Sequence, residues 1–288
     1  MSWNVAMSIR RQMLKAASRA EISLGNRAES VVRFITGRVS EDGGFKDRAG
    51  KSDLYYTVFG IEALLALGVD IPREKFTSYL AQFEHAQSLD FIHLACLVRC
   101  WADLTCPVQP GIRNTIAQRI GNRLAEHDTI YTCFLALCAY QDLGVQISGN
   151  KTFVDCVRSH RTVDGGYANE FGFKVGATPS TAAAVTILHH LNEPVPKQAI
   201  DRLFSCIGPN GGFRVMPQVG DADLLSTATA LHALSEADVP MLDIRQQCLD
   251  FVDGLWEPDG GFCASSTDRT ADCEYTYYAL LAMGHLSQ

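Results

Sequence analysis

The chain has 288 residues, of which 47% are apolar and 20% are charged, a composition typical of a globular protein with a sizeable core. Its 25 basic and 32 acidic residues give a net charge of −7, and its Lys and Arg residues form no cluster. We therefore expect no nucleic-acid partner, because phosphate backbones are bound by basic patches.

Ten cysteines are scattered without the paired spacings of a zinc ribbon or a disulfide scaffold, which predicts reduced thiols in a cytoplasmic protein. No apolar run reaches the roughly 18 residues of a membrane span. The best candidate, residues 58–69, is short and carries Glu62. The start of the chain also does not resemble a cleaved secretory signal.

Residues 1–20 contain no acid but carry four basic residues, with apolar residues on one side at helical spacing. An organelle-targeting or membrane-surface helix has this pattern, which leaves a peripheral membrane contact open. The alternative that we favour is an extra amphipathic helix packed on the domain.

From residue 27 the sequence alternates two kinds of helix. Charged, amphipathic helices are predicted near residues 27–38, 74–86, 111–126, 150–160, 196–206 and 242–256. Helices that are almost free of charge are predicted near residues 54–67, 91–104, 129–142, 180–191, 225–236 and 273–286. Helices with one polar face belong outside, whereas helices apolar all round must be buried.

Five of the six buried helices are preceded by an aspartate at one aligned position, and these are Asp53, Asp90, Asp128, Asp223 and Asp272. An aspartate there can cap the helix by accepting a free backbone N–H. Four hairpins also carry a Gly-Gly-aromatic turn before the buried helix, at residues 43–45, 165–167, 211–213 and 260–262. We expect glycine to end the outer helix with positive φ and the aromatic ring to fill the gap between hairpins.

Six hairpins with one buried helix each predict an all-α fold, an (α/α)6 toroid with inner and outer helix rings plus an extra N-terminal helix. Residues 1–26 would form the N-terminal extension and residues 27–288 the single toroid domain. The N-termini of the inner helices would then share one mouth of a central cavity, where partial positive charges converge.

At this point the residues resemble a known superfamily, the terpenoid cyclases and protein prenyltransferase β-subunits, which share the αα-toroid. Residues Gly43 to Thr57 are similar to the segment Gly-Gly-x-x-Asp-Lys-Pro-Gly-Lys-Ser-Arg-Asp-Phe-Tyr-His-Thr of farnesyltransferase β-subunits. The resemblance covers residues 27–288 and implies an isoprenoid ligand in the central cavity.

The two branches of the superfamily differ at the same place in the ring. Prenyltransferases hold zinc with Asp-x-Cys and a His, and the matching positions here carry Asp223, Leu225 and Tyr275. Since two of three ligands are missing, we expect no zinc and no other resident metal, although Mg²⁺ stays open with a diphosphate substrate. Zinc recruited by Cys273, Glu274 or His93 is the remaining alternative.

Proton-initiated cyclases carry Asp-x-Asp-Asp-Thr at this place, and Asp272-Cys273-Glu274-Tyr275-Thr276 falls on it in register. The resemblance implies that Glu274 is the proton donor, assisted by Asp272, with Tyr275 in the third position. Paired carboxylates in a dry site repel, so one of them stays protonated. The alternative is that Asp272 caps the helix and Glu274 faces solvent.

The resemblance also implies a diphosphate site at Arg48, Lys51 and Arg269, for which loop charges in solvent are the alternative. The predicted isoprenoid pocket takes residues from the inner helices and their N-termini, where aromatic rings can stabilise cations. This set is Asp53, Tyr55, Tyr56, Tyr131, Phe134, Asp223 and Tyr278.

Three hypotheses follow. The first is a zinc-independent, terpene-cyclase-like enzyme that acts on a prenyl diphosphate or a polyprenyl chain. The second is a transferase that resembles protein prenyltransferases and uses an α-type partner subunit; a homodimer is also open. The third is a prenyl- or lipid-binding module without catalysis.

Overall fold

The computed structural model describes residues 7–83, 88–125, 129–146, 149–217 and 219–287. Two short helices, α1 (Ile9–Ala17) and α2 (Ala20–Leu24), open the described part of the chain. Six outer helices follow along the chain: α3 (Ala28–Thr36), α5 (Arg73–Ala81), α7 (Pro110–Ala125), α9 (Lys151–Ser159), α11 (Lys197–Phe204) and α13 (Arg245–Asp253). Six inner helices alternate with them: α4 (Leu54–Ala66), α6 (Phe91–Asp103), α8 (Ile130–Leu143), α10 (Thr178–His190), α12 (Leu224–Glu236) and α14 (Cys273–Leu286).

The inner helices form a closed ring, because each packs against two inner neighbours and α14 packs against α4. The predicted (α/α)6 toroid with an extra N-terminal helix is thus confirmed. Observed helix limits lie within a few residues of the predicted ones. The predicted ends at residues 86 and 126 lie outside the described residues.

A threonine near the start of four inner helices ties each helix to its own Gly-Gly-aromatic turn. In the sixth hairpin, the Thr276 hydroxyl accepts a hydrogen bond from the Phe262 backbone N–H at 3.1 Å and donates one to the Asp272 carbonyl at 2.6 Å. Thr57, Thr181 and Thr227 accept the same bond from Phe45, Tyr167 and Phe213. The recurring threonine therefore satisfies a buried backbone donor that would otherwise be unpaired.

The glycines of these turns serve a different purpose from the predicted one. Helix α13 ends at Asp253, several residues before Gly260, so this glycine does not end the helix. Gly260 has a φ of +100°, and a Cβ atom there would lie 2.4 Å from the Ser30 carbonyl oxygen of α3. Since α3 belongs to the first hairpin, this close approach joins the last hairpin to the first.

Aspartate capping of the inner helices is observed at four of the five predicted positions. The carboxylates of Asp53, Asp90, Asp223 and Asp272 accept backbone N–H groups of the first helical turn. Asp128 lies outside the described residues, as does His127. Helix α8 is capped by Thr129, which accepts the Thr132 N–H at 2.9 Å, so the aligned register of α8 shifts by one residue.

Helix α1 packs across the C-terminal ends of the inner helices, with Ile9 and Ala17 fully buried. The Arg10 guanidinium pairs with Asp103 of α6 at 2.6 Å and with Asp142 of α8 at 2.8 Å. This end of the ring is therefore closed by the N-terminal segment, as expected of an extra packed helix. The domain limit at residue 26 stays a prediction.

Two short antiparallel hairpins lie beside the N-termini of inner helices. Strands β1 (Phe45–Lys46) and β2 (Ser52–Asp53) precede α4, and β3 (Arg214–Met216) and β4 (Val219–Ala222) precede α12. All ten cysteines lie in the described residues, and none forms a disulfide. No helix in the described part of the chain is long and apolar enough to cross a membrane.

Candidate functional site

A cavity of about 550 Å³ lies inside the ring of inner helices, within the size range of small-molecule sites. Its walls come in layers, because residues at equivalent positions of the six helices lie at equal depth. The second residues of five helices form a rim layer, and these are Tyr55, Ile92, Tyr131, Pro179 and Leu225. The ninth residues form a floor layer at the deep end, described below.

Aromatic and small apolar side chains dominate the layer between rim and floor. Phe59, Phe134 and Tyr278 line the cavity there, and the rings of Phe59 and Tyr278 lie 5.4 Å apart. Such rings offer an apolar wall with negative π faces. The lining is therefore suited to an extended apolar ligand.

Four of the seven predicted pocket residues line the cavity, namely Tyr55, Tyr131, Phe134 and Tyr278. Tyr56, Asp53 and Asp223 are not on its wall. The one-residue shift of α8 explains why Tyr131 lines the cavity although Tyr56, with which the sequence aligned it, does not. Because Thr129 is the cap, Tyr131 occupies the second helical position, equivalent to Tyr55 and not to Tyr56.

Glu274 occupies the second position of α14 and is 8% exposed, so it does not face solvent. The Tyr55 hydroxyl donates a hydrogen bond to its Oε1 at 2.6 Å. Burial raises the pKa of Glu274 to about 7; Asp272 adds to this, whereas the Tyr55 bond and Arg48 oppose it. A carboxyl group with this pKa is partly protonated near neutral pH. Glu274 itself is not on the cavity wall, but its partner Tyr55 is.

Asp272 is held beside Glu274 by two kinds of contact. One oxygen accepts the Tyr275 backbone N–H at 2.9 Å, and the other accepts the Arg48 Nε–H at 2.7 Å. Burial raises the pKa of Asp272, against the effect of these two contacts. The Arg48 guanidinium also lies over the Tyr275 ring, 5.4 Å from its centre. The structure thus brings together Asp272, Glu274, Tyr275 and Arg48 from the first and last hairpins.

Two of the three predicted diphosphate ligands, Arg48 and Arg269, make ion pairs within the protein. Arg48 pairs with Asp272 and, at 2.8 Å, with Asp268. Arg269 pairs with Glu257 at 2.7 Å and donates to the Gly254 and Trp256 carbonyls. Lys51 is exposed. Both guanidinium groups are therefore already occupied by acceptors of the protein, and their binding of a diphosphate stays a prediction.

The residues at the zinc positions of the prenyltransferase branch do not fit that metal. Both carboxylate oxygens of Asp223 accept hydrogen bonds from Ser226, and Leu225 offers no ligand atom. Burial raises the pKa of the Tyr275 phenol, which keeps it neutral. Among the described residues no three His, Cys, Asp or Glu side chains are grouped to hold a metal ion. The absence of zinc and of Mg²⁺ stays a prediction.

His93 lies on the cavity wall at the mouth, between two carboxylates. Its Nδ1 is 2.8 Å from Asp90 and its Nε2 is 3.3 Å from Asp53. Although burial lowers the pKa of His93, the two carboxylates raise it above its ordinary value. The predicted pocket residue Asp53 is therefore not on the cavity wall but contacts His93, which is. In the sequence alone, His93 is only a histidine near the start of a helix.

Exposed apolar side chains lie on a loop whose start reaches the same mouth. The loop before α10 carries Phe171, Phe173 and Val175, which are 76%, 63% and 50% exposed. Its start reaches the cavity, because Asn169 lines the wall and accepts the Tyr131 N–H at 3.1 Å. An exposed apolar patch of this kind is typical of a surface that binds another protein or a membrane.

The floor layer contains Arg99, Cys138, Thr186, His232 and Leu281. Arg99 pairs with the buried Glu62 of α4, with Nη2 2.6 Å from Oε2. Met13 of α1 also lines this end of the cavity. Arg99 and His232 are not among the site residues predicted from the sequence. A lone cation in a helix otherwise nearly free of charge is the signal that could have found Arg99, whereas the common depth of the two residues appears only in the ring.

The sequence matches the prenyltransferase alpha-alpha toroid domain family over residues 12–96 and 181–288. These two segments make up more than half of the chain and include the first, fifth and sixth inner helices. The chain therefore belongs to this family. No curated protein matches its sequence.

Solved structures of two kinds share the fold. Protein geranylgeranyltransferase-I from Candida albicans, complexed with GGPP, superposes with a TM-score of 0.67 at 12% identity, over 88% of this chain and 89% of that one. A type II terpene cyclase from Scytonema, in complex with geranylgeranyl dihydroxybenzoate, gives 0.63 at 11% identity, over 93% and 97%. At such identities the likeness establishes the fold alone.

Proposed function

We propose that this protein is an isoprenoid-binding enzyme that starts a carbocation cyclisation by protonating an alkene of a prenyl diphosphate or polyprenyl chain, without zinc. The observation that carries the proposal is the Glu274–Tyr55 pair at the cavity rim. A buried carboxyl group with a pKa near 7 is a competent general acid at neutral pH. The family relationship and the aromatic cavity support an isoprenoid ligand.

The proton reaches the cavity through Tyr55. Glu274 and Tyr55 have oxygens 2.6 Å apart, and only Tyr55 lines the cavity. When Glu274 is protonated, its carboxyl O–H can donate to the Tyr55 oxygen, which reverses this hydrogen bond and leaves the Tyr55 hydroxyl hydrogen for the substrate. In the first step Tyr55 gives this hydrogen to an alkene carbon and takes the carboxyl proton of Glu274. The alkene π electrons form the new C–H bond, which leaves a cation on the neighbouring carbon and a carboxylate at Glu274. Loss of a substrate proton at the end of cyclisation restores the carboxyl group.

Aromatic rings next to this pair would stabilise the cation. Phe59 and Tyr278 lie in the layer below Tyr55, and the rings of Tyr55 and Phe59 are 5.0 Å apart. Burial raises the pKa of Tyr278 and keeps its phenol neutral. Neutral rings attract a cation through their π faces without capturing it by a covalent bond. The Arg48 contacts favour the anionic form of Asp272, whose charge raises the pKa of Glu274, although the Arg48 charge itself lowers it.

Incubation with farnesyl and geranylgeranyl diphosphates, followed by product analysis, tests the proposal. Glu274→Gln and Tyr55→Phe should each lower turnover by about 100- to 10,000-fold, the usual contribution of a general acid. Glu21→Gln, an exposed residue of α2, is the matched control and should leave turnover unchanged. Wild-type turnover should fall as pH rises through about 7. Full turnover by the Glu274→Gln variant would rule out this acid.

A prenyl-binding module without catalysis is the second candidate. Two observations favour it: the Glu274 carboxyl is not itself on the cavity wall, and Arg48 is occupied by Asp268 and Asp272. Saturable binding of the same diphosphates without any product would support this function. Stoichiometric zinc in the purified protein would instead support a transferase, which would use an α-type partner subunit.

A further inference from the structure

The floor of the cavity is polar, in contrast to the layers above it. The ninth residues of the inner helices are Glu62, Arg99, Cys138, Thr186, His232 and Leu281, and all but Glu62 line the cavity. A pocket for a pure hydrocarbon tail would need apolar residues at this depth. Two of the five that line the cavity, Arg99 and His232, carry a charge or an imidazole, which indicates a ligand with a polar group at its deep end.

Arg99 has hydrogen-bond donors that its own ion pair does not use. Its Nε and Nη2 groups donate to Glu62, and Nη2 also lies 4.0 Å from the Met13 sulfur. Among the described residues none accepts a hydrogen bond from Nη1. The Arg99 side chain retains 15% of its accessible surface, and it lines the cavity. Guanidinium N–H donors are therefore left for a ligand at the floor.

His232 lines the same floor, and one nitrogen of its buried ring has no partner among the described residues. Its Nδ1 is 3.1 Å from the His285 Nε2, whereas its buried Nε2 makes no hydrogen bond to any described residue. Burial, His285 and Arg99 together lower the pKa of His232 to about 3, so the ring is neutral at physiological pH. In either tautomer Nε2 can make one further hydrogen bond, as donor or as acceptor.

A hydrocarbon end against this floor would leave both groups unpaired. Each unsatisfied buried polar group costs about 1–3 kcal/mol, and native proteins contain few of them. An anion does not fit either, because Glu62 already neutralises Arg99 and Arg10 faces two carboxylates at this end, those of Asp103 and Asp142. A neutral oxygen can accept from Arg99, and a hydroxyl can also bond to His232.

We propose that the ligand of this cavity is an oxygenated isoprenoid whose buried end carries a neutral hydroxyl or carbonyl oxygen, bound by Arg99 and His232. This inference rests on the proposed isoprenoid function and adds the chemical class of the substrate. The oxygen would also fix how far the chain enters, and so which alkene stands next to Tyr55 at the rim.

Two probes that differ by one oxygen test the proposal on the full chain. Farnesyl diphosphate and ω-hydroxyfarnesyl diphosphate have the same carbon skeleton, and the anionic diphosphate keeps that end of either probe away from the floor. Isothermal titration calorimetry measures the Kd of each. The wild-type protein should bind ω-hydroxyfarnesyl diphosphate about tenfold or more tightly than farnesyl diphosphate, since two hydrogen bonds to buried groups are gained. Equal affinities, or a preference for farnesyl diphosphate, would overturn the inference while leaving isoprenoid binding intact.

A substitution in the floor layer localises the effect. His232→Leu should reduce the preference to about twofold, because the variant no longer has a polar group to satisfy. Leu234→Met, a change of similar volume at a buried residue of the same helix outside the cavity wall, should keep the full preference. A preference that survives in His232→Leu would contradict the assignment of this residue. If the wild-type protein binds neither probe, the isoprenoid function fails and the floor inference with it.

Discussion

Glu274 makes the stability of this protein dependent on pH, and Glu274→Gln isolates that dependence. The folded pKa is raised from 4.5 to about 7 by burial, so the folded state holds its proton more tightly than the unfolded chain. The contribution of this group to the free energy of unfolding is therefore fully present below the unfolded pKa and is lost as pH rises through the folded pKa. For a pKa shift of this size the contribution is about 3 kcal/mol.

Urea unfolding of the wild type and of Glu274→Gln at about pH 4 and about pH 8 measures the effect. Glutamine has no charge to bury and can still accept the Tyr55 hydrogen bond. We expect the two proteins to differ little at the lower pH, and the variant to be about 3 kcal/mol more stable, relative to the wild type, at the higher pH. Parallel pH profiles for the two proteins would show that the carboxyl group is not perturbed, and would remove the acid on which the proposed chemistry depends.

Two further predictions concern the turns and the mouth. Thr276→Val should lower the free energy of unfolding by about 1–3 kcal/mol in thermal or urea denaturation, because it leaves the buried Phe262 N–H unpaired. The control is Thr36→Val, at an exposed threonine, which should have no such effect. Equal losses of stability in both variants would refute the role of the turn. Replacing both Phe171 and Phe173 by serine should weaken binding to phosphatidylcholine vesicles by about tenfold or more in flotation assays. The reason is that burying each ring in a lipid layer would contribute about 1.5–3 kcal/mol to the binding free energy. Unchanged flotation would exclude these rings as the peripheral membrane contact.

Local signals in the chain are sufficient for the repeat architecture. Alternation of amphipathic and uncharged helices, capping aspartates such as Asp272, and Gly-Gly-aromatic turns each act over a few residues, so six hairpins and their limits can be predicted without knowing the tertiary structure. Even the one error of register, on α8, came from a local choice between adjacent caps and moved Tyr131 by a single position.

The site depends on contacts that no local pattern contains. Tyr55 and Glu274 are 219 residues apart in sequence and are in contact only because the ring closes the last hairpin on the first. The same closure places the Arg48 guanidinium in hydrogen-bond contact with Asp272. Inner helices that are apolar on all sides give no periodicity that tells the cavity face from the packed face. Which residues lie at one depth, and hence the polar floor of Arg99 and His232, is therefore decided by the tertiary structure alone.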